Sequence, residues 1–252
     1  MKVISFINHK GGIGKTSSAL NVGYSLKSRG YRTLLIDMDS QSNLTLALGL
    51  DKNIKNHVGK FIEGELLFEE VVKTANNLDI LPASKLVAKT EKDLGNQPDF
   101  AFELKERLDQ VKDNYDFCII DCPPSLGVFV YMVMVTSSYI FIPMQPEFFA
   151  FEGLENIVEA FNKVKKHYNP GLKIGGVFFT KYNPKIRNTM YTELVDTIKE
   201  QYNELVLKTS IRENVKIGHA QIFKTNLFEL DSNSNGAKDY DNLTTEILER
   251  IK

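Results

Sequence analysis

Short apolar runs alternate with longer amphipathic stretches along most of the chain. Seven runs read as strands: 2–8 (KVISFIN), 32–37 (RTLLID), 78–83 (LDILPA), 116–121 (DFCIID), 139–144 (YIFIPM), 173–180 (KIGGVFFT) and 204–209 (ELVLKT). They are rich in Val, Ile, Leu and Phe and barely alternate with polar positions, which is how strands covered on both faces of a parallel sheet read. The segments between them predict helices at roughly 15–29, 85–94, 99–112, 125–136, 153–168, 187–202 and 237–251. Gly30 stands where a helix C-terminal cap is expected, and Asn169-Pro170-Gly171 ends another helix. The alternation predicts an α/β fold: a doubly wound, mostly parallel sheet with helices on both faces. Ligands of such sheets bind beyond the carboxyl ends of the strands. The polar stretch 50–77, with Gly59 and Gly64, reads as a surface loop with short helices, so residues 1–252 read as one domain.

Composition adds constraints more than direction. The chain is 42% hydrophobic and 25% charged, enough for a sizeable core. Its net charge of −1 excludes a whole-molecule field toward nucleic acid, so any DNA binding needs a local patch. Residues 163–224 hold twelve Lys and Arg against five Asp and Glu, an asymmetry that suits a phosphate-tracking face. Cys118 and Cys122 are too few for a disulfide framework and read as free thiols in a reducing cytosol. Their C-x3-C spacing, without further ligands, does not make a zinc site. The N-terminus has no signal-peptide pattern. Residues 127–144 carry no charge, but Thr136, Ser137 and Ser138 interrupt them and Pro143 nearly ends them. A buried helix followed by a buried strand accounts for them better than a membrane span.

The chemistry begins at residues 8–17, Asn-His-Lys-Gly-Gly-Ile-Gly-Lys-Thr-Ser, between a predicted strand and a predicted helix. Gly11, Gly12 and Gly14 allow backbone N–H groups, including that of Ile13, to turn toward phosphate oxygens. The helix N-terminus at Lys15, Thr16 and Ser17 adds partial positive charge. Lys15 can reach the β- and γ-phosphates, and the Thr16 hydroxyl can ligate Mg²⁺. The strict G-x-x-x-x-G-K-[ST] pattern fails at its first position, His9; a second lysine, Lys10, stands next to it.

Two acidic segments follow. Asp37 and Asp39 end the second predicted strand, in Asp-Met-Asp-Ser-Gln-Ser-Asn, where a carboxylate can orient water or hold the Mg²⁺ shell. For Asp37 a purely structural role bracing the loop is equally open. Asp121 ends the apolar strand 117–121 and is followed by Cys122-Pro123-Pro124, a Walker B arrangement that places a carboxylate toward Mg²⁺.

The K-G-G-x-G-K-[ST] loop at Lys10–Thr16 resembles the deviant Walker A motif of the ParA/MinD group of ATPases. Residues 143–154, PMQPEFFAFEGL, look like the ParA/Soj segment P-x-Q-x-E-[YF]-[YF]-A-x-E-G-L. Leu81-Pro82-Ala83-Ser84 matches the same branch, and IRENVKIGHA at 211–220 resembles its I-P-R-N-V-R-L-S-E-A. Three departures stand out: His9 for a glutamine, Arg212 for a proline and Glu213 for an arginine, the last weakening any copied DNA contact there.

The resemblance implies a P-loop fold, ATP and Mg²⁺ as cofactors, and a homodimer closed over two nucleotides. It implies that Lys10 reaches the partner's phosphates and that Asp39 supports hydrolysis, with Thr16, Asp39 and Asp121 around the metal. It further implies ATP-dependent binding of non-specific double-stranded DNA, a ParB-type centromere-binding partner that stimulates slow turnover, and a cytoplasmic, nucleoid-associated location. Lys185, Arg187 and Lys216 are the candidate DNA contacts, and Asn214 a candidate adenine contact. The chain opens on its first sheet strand, so no N-terminal helix-turn-helix domain is expected. It closes without a basic amphipathic tail, which speaks against a MinD-like membrane ATPase. Positioning of a protein cargo, and a metabolic ATP-dependent acid activation, are the other readings.

Overall fold

The computed structural model describes every residue except 98, 148, 187 and 188. Seven strands form one sheet: β1 Lys2–Phe6, β2 Thr33–Asp37, β3 Lys73–Ala75, β4 Leu78–Leu81, β5 Phe117–Asp121, β6 Tyr139–Met144 and β7 Lys173–Phe179. Their order is β3-β4-β2-β5-β1-β6-β7, parallel throughout except for β3 against β4. Successive residues of each strand face opposite sides. Leu34, Ile36, Cys118 and Ile120 therefore enter the core beneath helices Val87–Leu94, Val128–Thr136 and Ala150–His167, whereas Leu35, Phe117 and Ile119 enter the one beneath Lys15–Ser28 and Asn235–Arg250. Burial on both faces explains why the strands read as unbroken apolar runs.

The first helix ends as Gly30 predicts. Gly30 has φ +89°, its N–H donates to the Lys27 carbonyl and the Tyr31 N–H to the Leu26 carbonyl, a Schellman closure. The uncharged segment 127–144 divides into the helix Val128–Thr136 and β6, both buried. Among the described residues no helix is long and apolar enough to cross a membrane.

Three expectations are corrected. Residues 204–209 do not form a strand: they share a 3₁₀ turn, Asn203–Leu205, and touch β7 through one isolated bridge, Val177 to Val206, with a second, Thr180 to Ile211, just past both segments. Leu207 and Ile211 donate to the Val177 and Phe179 carbonyls at 2.7 and 2.8 Å, but the ladder fails between them because the Glu246 carboxylate takes the Thr209 N–H, at 2.9 Å, along with that of Lys208. Residues 50–77 are not merely surface: Val58, Phe61, Ile62 and Val71 of helices Val58–Ile62 and Phe68–Val71 are core residues. The same stretch holds β3, joined to β4 by Asn76 and Asn77 at φ +48° and +62°. Those two left-handed residues make the hairpin turn whose twist matches antiparallel strands.

His57 caps the helix Val58–Ile62 from a buried position, and neither ring nitrogen has a hydrogen-bond partner. Burial, and then the Lys60 charge, lower its pKa, with Glu65 opposing. The folded state thus keeps the ring neutral while the unfolded chain protonates it near the usual value of about 6.5. Stability from this group is full above the unfolded pKa and is lost as pH falls through it toward the folded value. Between about pH 7.5 and about pH 5.5 the Tm is expected to fall more steeply in the native chain than in His57→Leu. Equal slopes in calorimetry would place the acid sensitivity elsewhere.

Candidate nucleotide site

β1 lies in the interior of the sheet, between β5 and β6, and the glycine loop leaves its carboxyl end. Asp121 pairs in register with both Phe6 of β1 and Asp37 of β2, so the two carboxylates occupy neighbouring strand ends beneath the loop. A cavity of about 830 Å³ opens there. It is lined by the loop from Gly11 to Ser17, by Asp39, and by Asn214 and Gln221 from the opposite wall.

The loop is built to hold an anion. Gly12 and Gly14 have φ +75° and +95°, a backbone conformation that side-chain-bearing residues rarely adopt. No side chain caps the helix Lys15–Ser28, which leaves its first N–H groups open to phosphate oxygens. Three contacts that spacing did not reveal fix the loop: Thr180 Oγ1 donates to the Ile13 carbonyl at 2.7 Å, Gln145 Nε2 to the Gly12 carbonyl at 3.1 Å, and Gln221 Nε2 to Ser17 Oγ at 3.0 Å. Gln145 stood in a recognisable segment with no role attached. Thr180 carried only the signal of a hydroxyl at the end of an apolar strand.

The two lysines differ sharply. Lys15 is buried and donates to the Lys10 carbonyl at 2.9 Å; burial lowers its pKa, with Asp121 the main opposing charge. Lys10 is half exposed at the rim, ion-paired to Glu147.

The carboxylates also separate. Asp37 is wholly buried and accepts three bonds: Asp39 N at 3.1 Å, Thr45 N at 2.9 Å and Thr45 Oγ1 at 2.7 Å. Burial raises its pKa to about 6 against those bonds. With its oxygens so occupied, Asp37 braces the loop. Asp39 lies on the cavity wall, with Oδ1 accepting the Gln41 N–H at 2.9 Å. Asp121 is fully buried and neither of its oxygens has a hydrogen-bond partner. Burial, then the Asp37 charge, push its pKa well up; the Thr16 hydroxyl, close by but outside hydrogen-bond geometry, and then the Lys15 charge pull it back.

Two orphaned carboxylate oxygens beside a P-loop threonine fit the water shell of a Mg²⁺ ion. Among the described residues no group of three or more His, Cys, Asp or Glu could cage a metal. Cys118 and Cys122 are both buried, and burial raises both thiols.

The remaining predicted contacts are scattered. Asn214 reaches the cavity, but its Oδ1 caps the helix Val215–Ile222 by accepting Lys216 N at 2.8 Å. Lys216 Nζ stands 4.0 Å from Asp231. Lys185 is exposed in the loop after β7. Arg187 lies outside the described residues. Arg212, at a departure from the family pattern, pairs with the buried Asp239 at 2.6 Å.

A protein-family profile described as "AAA domain" matches residues 1–174. Over 251 residues the chain is 36% identical to the chromosome-partitioning ATPase Soj of Treponema pallidum, covering 99% of this chain and 98% of that one. It is 34% identical to the sporulation initiation inhibitor protein Soj of Bacillus subtilis, covering 98% of each. The chain belongs to the ParA/Soj-type ATPases. Its membership makes it an ATP-hydrolysing partition protein. Among solved structures, cobyrinic acid a,c-diamide synthase of Mycobacterium smegmatis, with an ATP analogue and magnesium, superposes with TM-score 0.86 at 27% identity, over 100% of this chain and 96% of that one. A putative plasmid partition protein of Borrelia burgdorferi bound to AMPPNP gives 0.82 at 25%, over 99% and 98%.

Proposed function

We infer that this ParA/Soj-type chain is an ATP-driven dimerisation switch that holds non-specific duplex DNA in its ATP state and moves a DNA cargo with a ParB-type partner. The observation that carries the reading is the pair of lysines on one loop. Lys15 is buried over Asp121 and serves the chain's own nucleotide. Lys10 is half exposed at the rim, where a second copy closing face to face would present its phosphates. Its attraction for them grows as the closing faces exclude water.

In this reading Gly11, Gly12, Ile13, Gly14, Lys15, Thr16 and Ser17 hold the phosphates, Thr16 ligates Mg²⁺, and Asp121 and Asp39 accept bonds from its water shell. Bound Mg²⁺ neutralises charge on the transferring phosphoryl group. Asp39 orients the attacking water. Asn214, through its amide, borders the base. Hydrolysis is slow until the partner completes the site, which gives the ATP state a lifetime. The DNA face includes Lys185, Arg187 and Lys216, and the protein works in the cytoplasm on the nucleoid.

The test is binding to random-sequence duplex DNA with ATP, ADP or no nucleotide at two salt concentrations, with anionic vesicles in parallel. Binding only with ATP, weakened by salt and absent on vesicles, is the expected result. Lys216→Ala and Arg187→Ala should each lower DNA affinity and reduce the salt slope by about one. ATP turnover without DNA should stay unchanged. Equal DNA binding in all nucleotide states, or none in any, would overturn the switch; vesicle binding would favour the MinD-like reading.

A further inference from the structure

Thr45 lies in the helix Asn43–Ala47, outside every motif used so far, and is wholly buried. Its hydroxyl is committed twice. It donates to Asp37 Oδ2 at 2.7 Å and accepts the Ala83 N–H at 2.9 Å. Its own N–H makes a second bond to Asp37 Oδ2, at 2.9 Å. Asp37 Oδ1 in turn receives the backbone N–H of Asp39, at 3.1 Å. One side chain thereby joins three segments: the end of β2, the helix that follows the Asp39 loop, and the Pro82–Ser84 turn after β4.

From this node we propose that Thr45 is a positioning residue for ATP hydrolysis: through Asp37 it fixes the backbone from which Asp39 reaches the cavity. The proposal rests on Asp39 serving hydrolysis. The chemistry favours a hydroxyl at this place. Only a group that donates and accepts at once can satisfy the carboxylate on one side and a buried N–H on the other. All the atoms are out of water, so the bonds are exclusive and hold the geometry firmly. A loop residue at the edge of a cavity needs such support, because a displacement of about 1 Å can cost about a hundredfold in rate.

The experiment compares Thr45→Val, which keeps shape but loses both side-chain bonds, with Thr45→Ser, which keeps both, and with Thr45→Ala should the valine chain not fold. Fluorescent-nucleotide affinity and single-turnover hydrolysis are measured for each, with Asp39→Ala in parallel. Thr45→Val is expected to bind nucleotide within about threefold of the native chain and to hydrolyse it at least about tenfold more slowly, with Thr45→Ser restoring the rate. A purely structural role would move affinity and rate together. Native hydrolysis by both Thr45→Val and Thr45→Ala, with Asp39→Ala inactive, overturns this proposal alone. Native hydrolysis by Asp39→Ala overturns the reading of Asp39 on which it rests.

Discussion

Asp39→Ala is expected to bind Mg-ATP with near-native affinity and to hydrolyse it at least about a hundredfold more slowly, the size of effect found when one group stabilising a transition state is removed. The separation of binding from chemistry follows from where the residue sits. On the proposed function phosphate is held by backbone N–H groups, Lys15 and Thr16, and Asp39 belongs to none of these. Its Oδ1 is used by the Gln41 N–H at 2.9 Å, and among the described residues Oδ2 has no donor, leaving an acceptor at the cavity wall. The fold should tolerate the change, because the backbone of residue 39 is held by Asp37 and not by its own side chain. On the proposed function the same variant is locked in its ATP state and should remain on DNA. Nucleotide binding by fluorescence and phosphate release in single turnovers decide the matter. A variant that loses affinity and turnover together would make Asp39 a binding or structural residue.

The contrast between Asp37 and Asp39 shows where sequence reading stops. Two carboxylates two residues apart at a strand end are equivalent on paper. They separate only because Thr45 returns to fill the Asp37 oxygens, a contact made by the path of the chain after the strand. The P-loop was legible because its requirements are local: glycines at positive φ, an uncapped helix start, and a lysine and a threonine at fixed offsets. The parallel sheet was legible because burial on both faces writes itself into every strand. Thr180, Gln145 and Gln221 were not, since each acts on the loop across more than a hundred residues. Residues 204–209 carry strand composition, but Glu246, on a distant helix, captures the Thr209 N–H that a ladder needs between Leu207 and Ile211. Charge counting was blind in the same way. Arg212 contributes to the basic excess of 163–224 yet spends its charge on Asp239 inside the fold. Lys163, likewise, is paired with Glu159 at 2.7 Å.

Asp121→Asn is expected to move stability and activity in opposite directions. In the nucleotide-free protein Asp121 is a cost. Both oxygens are buried without a partner, and the neighbouring Asp37 charge adds repulsion. Attraction to Lys15 opposes this, but burial is the larger influence on both groups, so the pair does not recover what it loses to desolvation. Asparagine keeps the shape and removes the charge, which relieves the desolvation and the Asp37 repulsion but leaves the buried Lys15 without its main opposing charge. The net is expected to be a rise in Tm of about 2–4 °C without nucleotide, the equivalent of about 1 kcal/mol at this chain length. On the proposed function hydrolysis should fall at least about a hundredfold, because the carboxylate oxygens that would accept from the Mg²⁺ water shell are halved in number and lose their charge. The native protein should gain thermal stability when Mg²⁺ is added to ATP, and the variant should gain little beyond ATP alone, since only a ligand that prefers the folded site raises its stability. Calorimetry in chelator, in ATP and in Mg-ATP separates these terms. A nucleotide-free Tm below the native value would mean that Asp121 has partners holding the strand ends together. A rise in Tm together with lost magnesium response would identify it as a residue kept for function at the expense of the fold, the trade expected of a metal-facing carboxylate in an active site.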